Sequence, residues 1–340
     1  MKAKQLGILI LALVVTVSFT LAGCGSKDAA ADNNQAKTGK KTVAMVPKVI
    51  GSPYFDTAAE GAKKAAAELG LEFLYTGSTA ADAAQQVNVI QDLINKKVDV
   101  LIVSANDAQS VAPALKKAKA AGIKVMTYDA DSTPDSRDLF INQTTAEILG
   151  RHIMDNVAKE IGGSGEYAIL TASLTASNQN TWIKWMKEQQ AAQYPDITLV
   201  TIAPSEEDQQ KAFAQTQNLV KAYPNLKGIA ALSTVAEPGA AQAIEQLGLN
   251  GKIKLVGLAT PDGMKQYLKS GAAQSATLWD VGKLGYLTIY MAKQLLDGNM
   301  PTDGMDVPTV GKITYKADTK EIIMGEPLDF SKDNVDNYNF

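Results

Sequence analysis

Short apolar runs alternate with longer stretches of helical periodicity along most of this chain, starting at residue 41. Residues 41–46 and 98–103 are typical strands, and the second is almost entirely apolar, as expected for a parallel strand buried on both faces. Residues 56–69 carry apolar side chains at helical spacing, and Gly70 follows as a suitable C-terminal cap. This alternation of strand and helix predicts a parallel, doubly wound sheet.

The same rhythm repeats in the second half of the chain. Strands are predicted at residues 167–172, 197–202, 228–232 and 253–258, with helices between them at 180–193, 206–222 and 238–247. A further strand at 275–279 and a helix at 281–296 indicate that the chain crosses back to the first unit. We therefore predict an α/β fold with two doubly wound parallel-sheet lobes, joined by a hinge and separated by a cleft.

The first residues have the layout of a secretory signal peptide. Lys2 and Lys4 precede an uncharged apolar stretch at residues 6–21, which is too short for a comfortable transmembrane helix of about 20 residues. A signal anchor with an incidental cysteine is the alternative. The run Leu21-Ala22-Gly23-Cys24 resembles the lipobox of bacterial lipoproteins. That resemblance implies cleavage before Cys24, a lipid on its sulfur, and a location outside the cytoplasm with the chain anchored to the membrane.

The cysteine count and the net charge exclude or disfavour several classes of function. Cys24 is the only cysteine, so after lipidation the chain has no thiol for a disulfide, a metal cluster or nucleophilic catalysis. Removal of residues 1–23, with their two lysines, takes the formal net charge from −3 to −5. A mildly acidic chain with dispersed charge does not favour nucleic acid as a partner.

Domain boundaries follow from these patterns, because about 300 mature residues exceed one usual core. We predict a lipoprotein signal peptide at 1–23 and a flexible tether at 24–41, which has nothing apolar to pack. The N-terminal lobe is predicted at 42–142 plus 275–305, the C-terminal lobe at 143–274 plus 306–330, and a tail at 331–340.

Sequence signatures of enzymes are missing from the chain. It has no Gly-x-Ser-x-Gly elbow, Walker loop, Gly-x-Gly-x-x-Gly fingerprint or His-Glu-x-x-His pair. The single histidine, His152, lies in a predicted helix without a partner base, which favours a structural role. The pattern predicts a protein that is not an enzyme and that has no cofactor and no metal site.

Polar and aromatic residues are concentrated where the predicted strands end. In open α/β sheets, ligands bind beyond the carboxyl ends of the strands. Carboxylates, amides and a lysine there can hold hydroxyls, while aromatic rings cover the apolar face of a sugar. The candidates are Lys48, Tyr54, Phe55, Asp129, Asp131, Asn178, Gln179, Pro238, Thr260 and Trp279.

Structural explanations remain open for several of these loop residues. Asp107, after another strand, is a candidate helix cap, and Asp129 or Asp131 can serve as a turn former. Lys48 can be a solvated loop lysine, and Trp279 can fill the hinge. Trp182 and Trp185 are three apart on a helix, which is more typical of packing than of ligand contact.

The whole chain after the tether resembles the type I periplasmic-binding-protein sugar receptors, in the branch of autoinducer-2 receptors and rhamnose-binding proteins. The motifs that carry the resemblance are Val46-Pro47-Lys48, Gly51-Ser52-Pro53-Tyr54-Phe55, Val103-Ser104-Ala105-Asn106-Asp107, Thr127-Tyr128-Asp129-Ala130-Asp131, Phe140-Ile141-Asn142-Gln143, Ser177-Asn178-Gln179-Asn180, Glu237-Pro238-Gly239-Ala240-Ala241, Ala259-Thr260-Pro261 and Leu278-Trp279-Asp280.

The resemblance implies a monomeric two-lobed receptor that closes on a small sugar-like ligand and delivers it to a membrane permease of an ABC importer. The ligand residues of the autoinducer-2 receptors fall on Lys48, Asp129, the Asn178-Gln179 pair, Pro238 and Ala240. Asn178 departs from that pattern, since an amide stands where the receptors have a carboxylate.

The motifs support two different ligands. The Asn178-Gln179-Asn180 run and Arg137-Asp138-Leu139-Phe140 look like the rhamnose-binding branch, and L-rhamnose or another monosaccharide is the alternative ligand. Pro238 and Trp279-Asp280 look like the autoinducer-2 branch, which we prefer because five of six positions match. Nutrient uptake and quorum sensing both remain open as the purpose.

Two other classes of protein are weighed against a receptor. A glycosidase needs two carboxylates on opposite sides of the scissile bond, and Asp129 with Glu237 can be suggested as the pair, without a residue assigned as acid. A sugar-responsive repressor shares the fold, but it needs a helix-turn-helix where this chain has its signal peptide and tether.

Overall fold

The computed structural model describes residues 39–340. The predicted signal peptide, the lipidation site Cys24 and all but the end of the tether lie outside the described residues. Within the described part, no helix combines the length and the apolar character needed to cross a membrane.

Strands and helices alternate through most of the described chain, as the hydrophobic pattern predicts. The first group consists of β1 (Thr42–Val46), α1 (Pro53–Glu68), β2 (Glu72–Tyr75), α2 (Ala83–Lys96), β3 (Val100–Val103), α3 (Ala108–Ala120), β4 (Lys124–Tyr128), β5 (Leu139–Asn142) and α4 (Ala146–Ile161). The second consists of β6 (Gly165–Thr171), α5 (Ser177–Gln193), β7 (Ile197–Pro204), α6 (Gln209–Ala222), β8 (Leu226–Ala231), α7 (Ala236–Gln246), β9 (Lys254–Leu258), α8 (Pro261–Ser270) and β10 (Ser275–Leu278). The last consists of α9 (Val281–Leu296), β11 (Asp306–Val307), β12 (Gly311–Lys312), β13 (Thr314–Lys316), β14 (Glu321–Ile323) and β15 (Leu328–Phe330).

Two sheets define two lobes. Within residues 39–340, the sheet of the first lobe has seven strands in the order β13-β14-β5-β4-β3-β1-β2. The sheet of the second lobe has six, in the order β15-β10-β9-β8-β6-β7. Pairing is parallel except for the outermost strands β13 and β15, and the central strands of both sheets are buried. The predicted two-lobed, doubly wound fold is therefore confirmed.

Three segments connect the lobes within the described residues. The chain passes between β5 and α4 at residues 143–145, between β10 and α9 at 279–280, and between β14 and β15 at 324–327. Helix α4 packs on α5, β8 and β9 of the second lobe, whereas α9 packs on α1, β4 and β5 of the first. The first and third connections lie side by side, since the amide nitrogen of Gly325 donates to the carbonyl oxygen of Gln143 at 3.2 Å.

The predicted lobe boundaries differ from this pairing at two places. Strand β10 lies in the second sheet, parallel to β9, although residues 275–305 were expected in the first lobe. Strands β13 and β14 lie in the first sheet, although residues 306–330 were expected in the second. The reason is that a strand's hydrophobic pattern records its burial, and both sheets bury their strands equally well.

Helices α1 and α9 approach each other unusually closely. A Cβ atom added at Gly285 would lie 1.8 Å from the carbonyl oxygen of Ala58, and one at Gly61 would lie 2.0 Å from that of Gly282. Backbone therefore touches backbone at this crossing, which only glycine permits. The contact fixes α9 against α1, whose first turn contributes side chains to the cleft.

Candidate functional site

A cavity of about 370 Å³, including the part that is open to solvent, lies between the lobes at the carboxyl ends of the strands. We call it the central cavity. The first lobe lines it with Lys48, Ser52, Tyr54, Phe55 and Asp129, and the second with Asn178, Gln179, Trp182, Glu207, Leu232, Ser233, Thr234 and Leu258. Leu278, the last residue of β10, and Trp279, where the chain crosses between the lobes, complete the lining.

Asp129 forms the acidic wall of the first lobe. It follows β4 with a left-handed backbone (φ 59°) and is only 5% exposed. The Tyr54 hydroxyl donates to Oδ1 at 3.0 Å, and the Ser104 hydroxyl donates to Oδ2 at 2.7 Å. The carboxylate is thus held in one orientation, with remaining lone pairs available to further donors.

Lys48 carries the positive charge of the cavity and bridges the lobes. Its side chain is buried, with Nζ 3.9 Å from Oδ2 of Asp129. The ammonium also donates to Oδ1 of Asn178 in the second lobe at 3.2 Å. The Lys48 carbonyl oxygen accepts from Nδ2 of Asn106 at 2.9 Å, which fixes the loop after β1. Lys48 is therefore a buried, oriented lysine, and the alternative of a solvated loop residue is wrong.

Aromatic rings form the apolar wall. The Tyr54 and Trp279 rings meet edge to face at 6.0 Å, and Trp182 meets Trp279 at 6.4 Å. Nε1 of Trp279 donates to the Tyr54 hydroxyl at 3.1 Å, which in turn donates to Asp129. Burial, with the charge of Asp129, holds the Tyr54 pKa well above its ordinary value, so the phenol stays a neutral donor.

The amide pair at the start of α5 is oriented from inside the second lobe. Oε1 of Gln179 accepts from the Thr171 hydroxyl and from the Ala172 amide, both at 2.6 Å. This leaves Nε2 as the polar group that Gln179 can offer to the cavity. Oδ1 of Asn178 accepts from Lys48 and from the amide nitrogen of Gln179. Both side chains lie where the strand-end pattern predicts.

Glu207 is a lining residue that the sequence reasoning missed. Helix α6 was predicted to begin at residue 206, but it begins at Gln209, with Asp208 as its cap. Oε2 of Glu207 accepts from the Ser233 hydroxyl at 2.7 Å. Removal of the carboxyl group from water raises the pKa of Glu207, while the Lys48 ammonium and the hydrogen bond from Ser233 lower it. A second acidic group therefore faces Lys48 from the second lobe.

Four predicted site residues lie outside the lining of the central cavity. Asp131 pairs with the buried Arg137, with Oδ2 2.7 Å from Nη2. Pro238 and Thr260 line a neighbouring groove on the α7–α8 side. Ala240 has no exposed surface within α7. Strand-end position alone does not distinguish these from residues that reach the cavity.

Other residues turn out to be structural. Asp107 caps α3 by accepting from the amide nitrogens of Gln109 and Ser110, as its alternative interpretation predicts. Nε2 of His152 lies 2.8 Å from Oδ1 of Asp329, far along the chain in β15, so this histidine ties α4 to that strand. Glu237 is fully buried, burial raises its pKa, and it does not line the central cavity.

The cavity is chemically a binding site for hydroxyl groups. It offers a lysine donor, two carboxylate acceptors and an amide donor beside an aromatic wall. The suggested glycosidase pair is not assembled, because Glu237 lies outside the lining. Among the described residues, no group of three or more His, Cys, Asp or Glu side chains is arranged to hold a metal ion.

A two-lobed α/β fold with three connections and a polar cavity between the lobes defines the class of solute-binding proteins. A family model described as periplasmic binding protein domain matches residues 43–300. The chain belongs to this family, as a type I sugar receptor of an ABC transporter. Membership implies a location outside the cytoplasm.

Three similar proteins illustrate the range of ligands in this family. The ribose import binding protein of Salmonella typhimurium is 29% identical over 265 residues, which is 76% of this chain and 86% of that protein. A solute-binding protein of Clostridium phytofermentas with bound L-rhamnose is 33% identical, with a TM-score of 0.84. The match covers 88% of this chain and 98% of that protein. LsrB of Clostridium saccharobutylicum in complex with AI-2 is 30% identical, with a TM-score of 0.83. The match covers 88% of this chain and 100% of that protein.

Proposed function

We propose that this chain captures a small, neutral, sugar-like molecule for an ABC importer, and that the ligand is autoinducer-2. The observation that carries this proposal is the central cavity, where Lys48 and Asp129 of one lobe face Asn178 and Gln179 of the other. All four fall on ligand positions of the resemblance, where only Asn178 departs from the residue of the autoinducer-2 receptors, and a solved relative of similar fold holds AI-2.

L-rhamnose is the second candidate ligand. The observation in its favour is Asn178, whose amide oxygen already accepts from Lys48 across the cleft. A neutral amide at this position suits a ligand that needs no carboxylate from the protein beyond those of Asp129 and Glu207. A relative with bound L-rhamnose has 33% identity and a TM-score of 0.84, so its overall similarity matches that of the AI-2 complex.

The proposed mechanism is closure of the lobes on the ligand. Lys48 and Asp129 bind one side of the molecule, Asn178 and Gln179 bind the other, and the aromatic wall covers its apolar face. A ligand that contacts both lobes stabilises the closed state over the open one. The three connections at residues 143–145, 279–280 and 324–327 provide the hinge. The closed receptor is the form that we propose the permease recognises.

The ligand is tested by thermal unfolding of residues 40–340, which form one compact unit by themselves. Autoinducer-2, L-rhamnose, D-ribose and D-galactose are added in parallel. A ligand at a hundred times its dissociation constant stabilises the protein by about 2.7 kcal/mol, a shift of several degrees. We expect the shift with autoinducer-2. A shift with L-rhamnose alone contradicts that choice and assigns a nutrient, while the absence of any shift contradicts the proposed function.

We also propose that Cys24 carries the lipid that anchors the chain. The full-length chain is expected to incorporate a labelled fatty acid in a bacterial host, and Cys24→Ala is expected to incorporate none. The matched control is the 40–340 chain, which lacks the segment. Equal labelling of the wild type and the Cys24→Ala variant would contradict the assignment.

A further inference from the structure

The loop between β7 and α6 places a carboxylate in the central cavity from the second lobe. Its backbone is firmly held, since Ser205 and Glu206 donate their amide hydrogens to the carbonyl oxygens of Thr171 and Ala172 at 2.8 and 2.7 Å. On the other side, Asp208 caps α6 by accepting from the Lys211 amide at 2.8 Å. Glu207 lies between these two anchors, and its side chain is oriented by the Ser233 hydroxyl, which donates to Oε2 at 2.7 Å.

The same loop holds an unfavourable backbone conformation. Glu206 and Glu207 both have left-handed φ values, 54° and 50°, which a residue with a Cβ rarely adopts because they are sterically strained. Such strain persists where the surrounding structure enforces it, and it is concentrated at ligand sites. Within this strained pair, Glu206 is exposed and Glu207 lines the central cavity.

Glu207 has an unused acceptor. Oε2 accepts from Ser233, whereas Oε1 has no hydrogen-bond partner within residues 39–340. The charged groups that act on it are Lys48, across the cleft, and Asp129, which follows β4. Glu207 is half-buried and this oxygen is open to the cavity, so a ligand hydroxyl can donate to it directly.

We propose that Glu207 is a specificity-determining residue of the central cavity, and that its Oε1 accepts a hydroxyl hydrogen of a neutral polyol. This inference rests on the proposed function and adds the second-lobe acceptor to it. Two carboxylates, Asp129 and Glu207, flank the single ammonium of Lys48 in the lining. An anionic ligand such as a uronic acid would meet this excess of negative charge, so the cavity selects neutral sugars over acidic ones.

The test is calorimetric titration of wild type, Glu207→Gln and Glu206→Gln with autoinducer-2, L-rhamnose and D-galacturonate. Glu207→Gln keeps the size of the side chain and removes the charge. We expect it to bind the neutral ligand about 10- to 100-fold more weakly, since a charge-assisted hydrogen bond is lost. Glu206→Gln is the matched control, because it removes the same charge from the adjacent exposed residue of the same strained turn. It is expected to bind like the wild type.

The pH profile separates a ligand contact from a structural role. A hydroxyl donor prefers the ionised carboxylate, so wild-type affinity is expected to fall as the pH is lowered from neutrality through the raised pKa of Glu207. Glu207→Gln is expected to lose that decline, and Glu206→Gln to keep it. Thermal unfolding of each variant without ligand verifies that the fold is intact.

Failure of the inference is distinguishable from failure of the proposed function. A wild type that binds neither neutral ligand overturns the proposed function. A wild type that binds one of them, with an affinity and pH profile unchanged in Glu207→Gln, overturns the role of Glu207 and leaves the function standing. Tighter binding of D-galacturonate than of either neutral ligand overturns the selection for neutral sugars.

Discussion

Replacement of Asp129 by asparagine is expected to weaken ligand binding by about 2–3 kcal/mol, or roughly 30- to 150-fold. Asparagine tolerates the left-handed backbone at this position, so the loop is retained. The amide removes the charged acceptor and turns an NH₂ group toward Tyr54 or Ser104, both of which donate to this side chain. Lys48 also loses its nearest counter-charge. Titration calorimetry with the ligand identified by thermal unfolding measures the effect.

Asp107→Asn is the matched control for this substitution. Asp107 also follows a strand of the first sheet, but it caps α3, and asparagine caps a helix as well as aspartate does. The control therefore removes one carboxylate near the cleft without loss of the cap, and its affinity is expected to equal that of wild type. Equal weakening by both substitutions would mean that net charge, and not contact with Asp129, sets the affinity.

Gly285→Ala is expected to destabilise the fold by about 3 kcal/mol or more. The added methyl group would lie 1.8 Å from the carbonyl oxygen of Ala58, so α9 has to move away from α1. Because this contact is between two backbones, no side-chain rotation relieves it. Equilibrium unfolding of residues 40–340 in urea measures the change as a lower midpoint.

Gly282→Ala provides the control within the same helix. A Cβ at Gly282 would meet only Oδ1 of Asp280, at the ordinary contact distance of 3.5 Å. Alanine also favours the helix over glycine, by up to about 1 kcal/mol, so this variant is expected to be as stable as wild type or slightly more stable. A Gly285→Ala protein with the wild-type midpoint would show that the two helices are not held at the described distance.

The order of strands and helices could be predicted from the sequence because burial determines where apolar residues stand along the chain. A strand that is buried on both faces is a continuous apolar run, and a helix that is buried on one face is amphipathic. Val100–Val103 is entirely buried, as its apolar run predicts, and the amphipathic α2 buries Ile90, Leu93 and Ile94. The assignment of strands to lobes could not be predicted in this way. Parallel strands such as β10 and β14 have the same apolar pattern in either sheet, and only the path of the connections decides which sheet receives them.

The site could be predicted only in part, for a related reason. Strand ends correctly indicate where Lys48, Asp129 and Asn178 lie, because parallel strands bring their carboxyl ends to one edge. Glu207 was hidden, because the residues before α6 look like its first turn and the left-handed backbone at Glu206 leaves no sequence signal. Asp131 looks like a ligand residue until its partner Arg137 is placed beside it.

The pairing of β14 with β5 has a consequence for the folding of the newly synthesised chain. Asn142 and Glu321, joined by a hydrogen bond of 2.7 Å between these two strands, are 179 residues apart. Contacts between residues so distant in sequence form slowly. A growing chain that has completed the second lobe as far as β10 still has β5 as an open edge, available for wrong pairing with another chain. The arrival of β14 closes that edge, so the first lobe stays incomplete until strands β6 to β10 of the second lobe have been made.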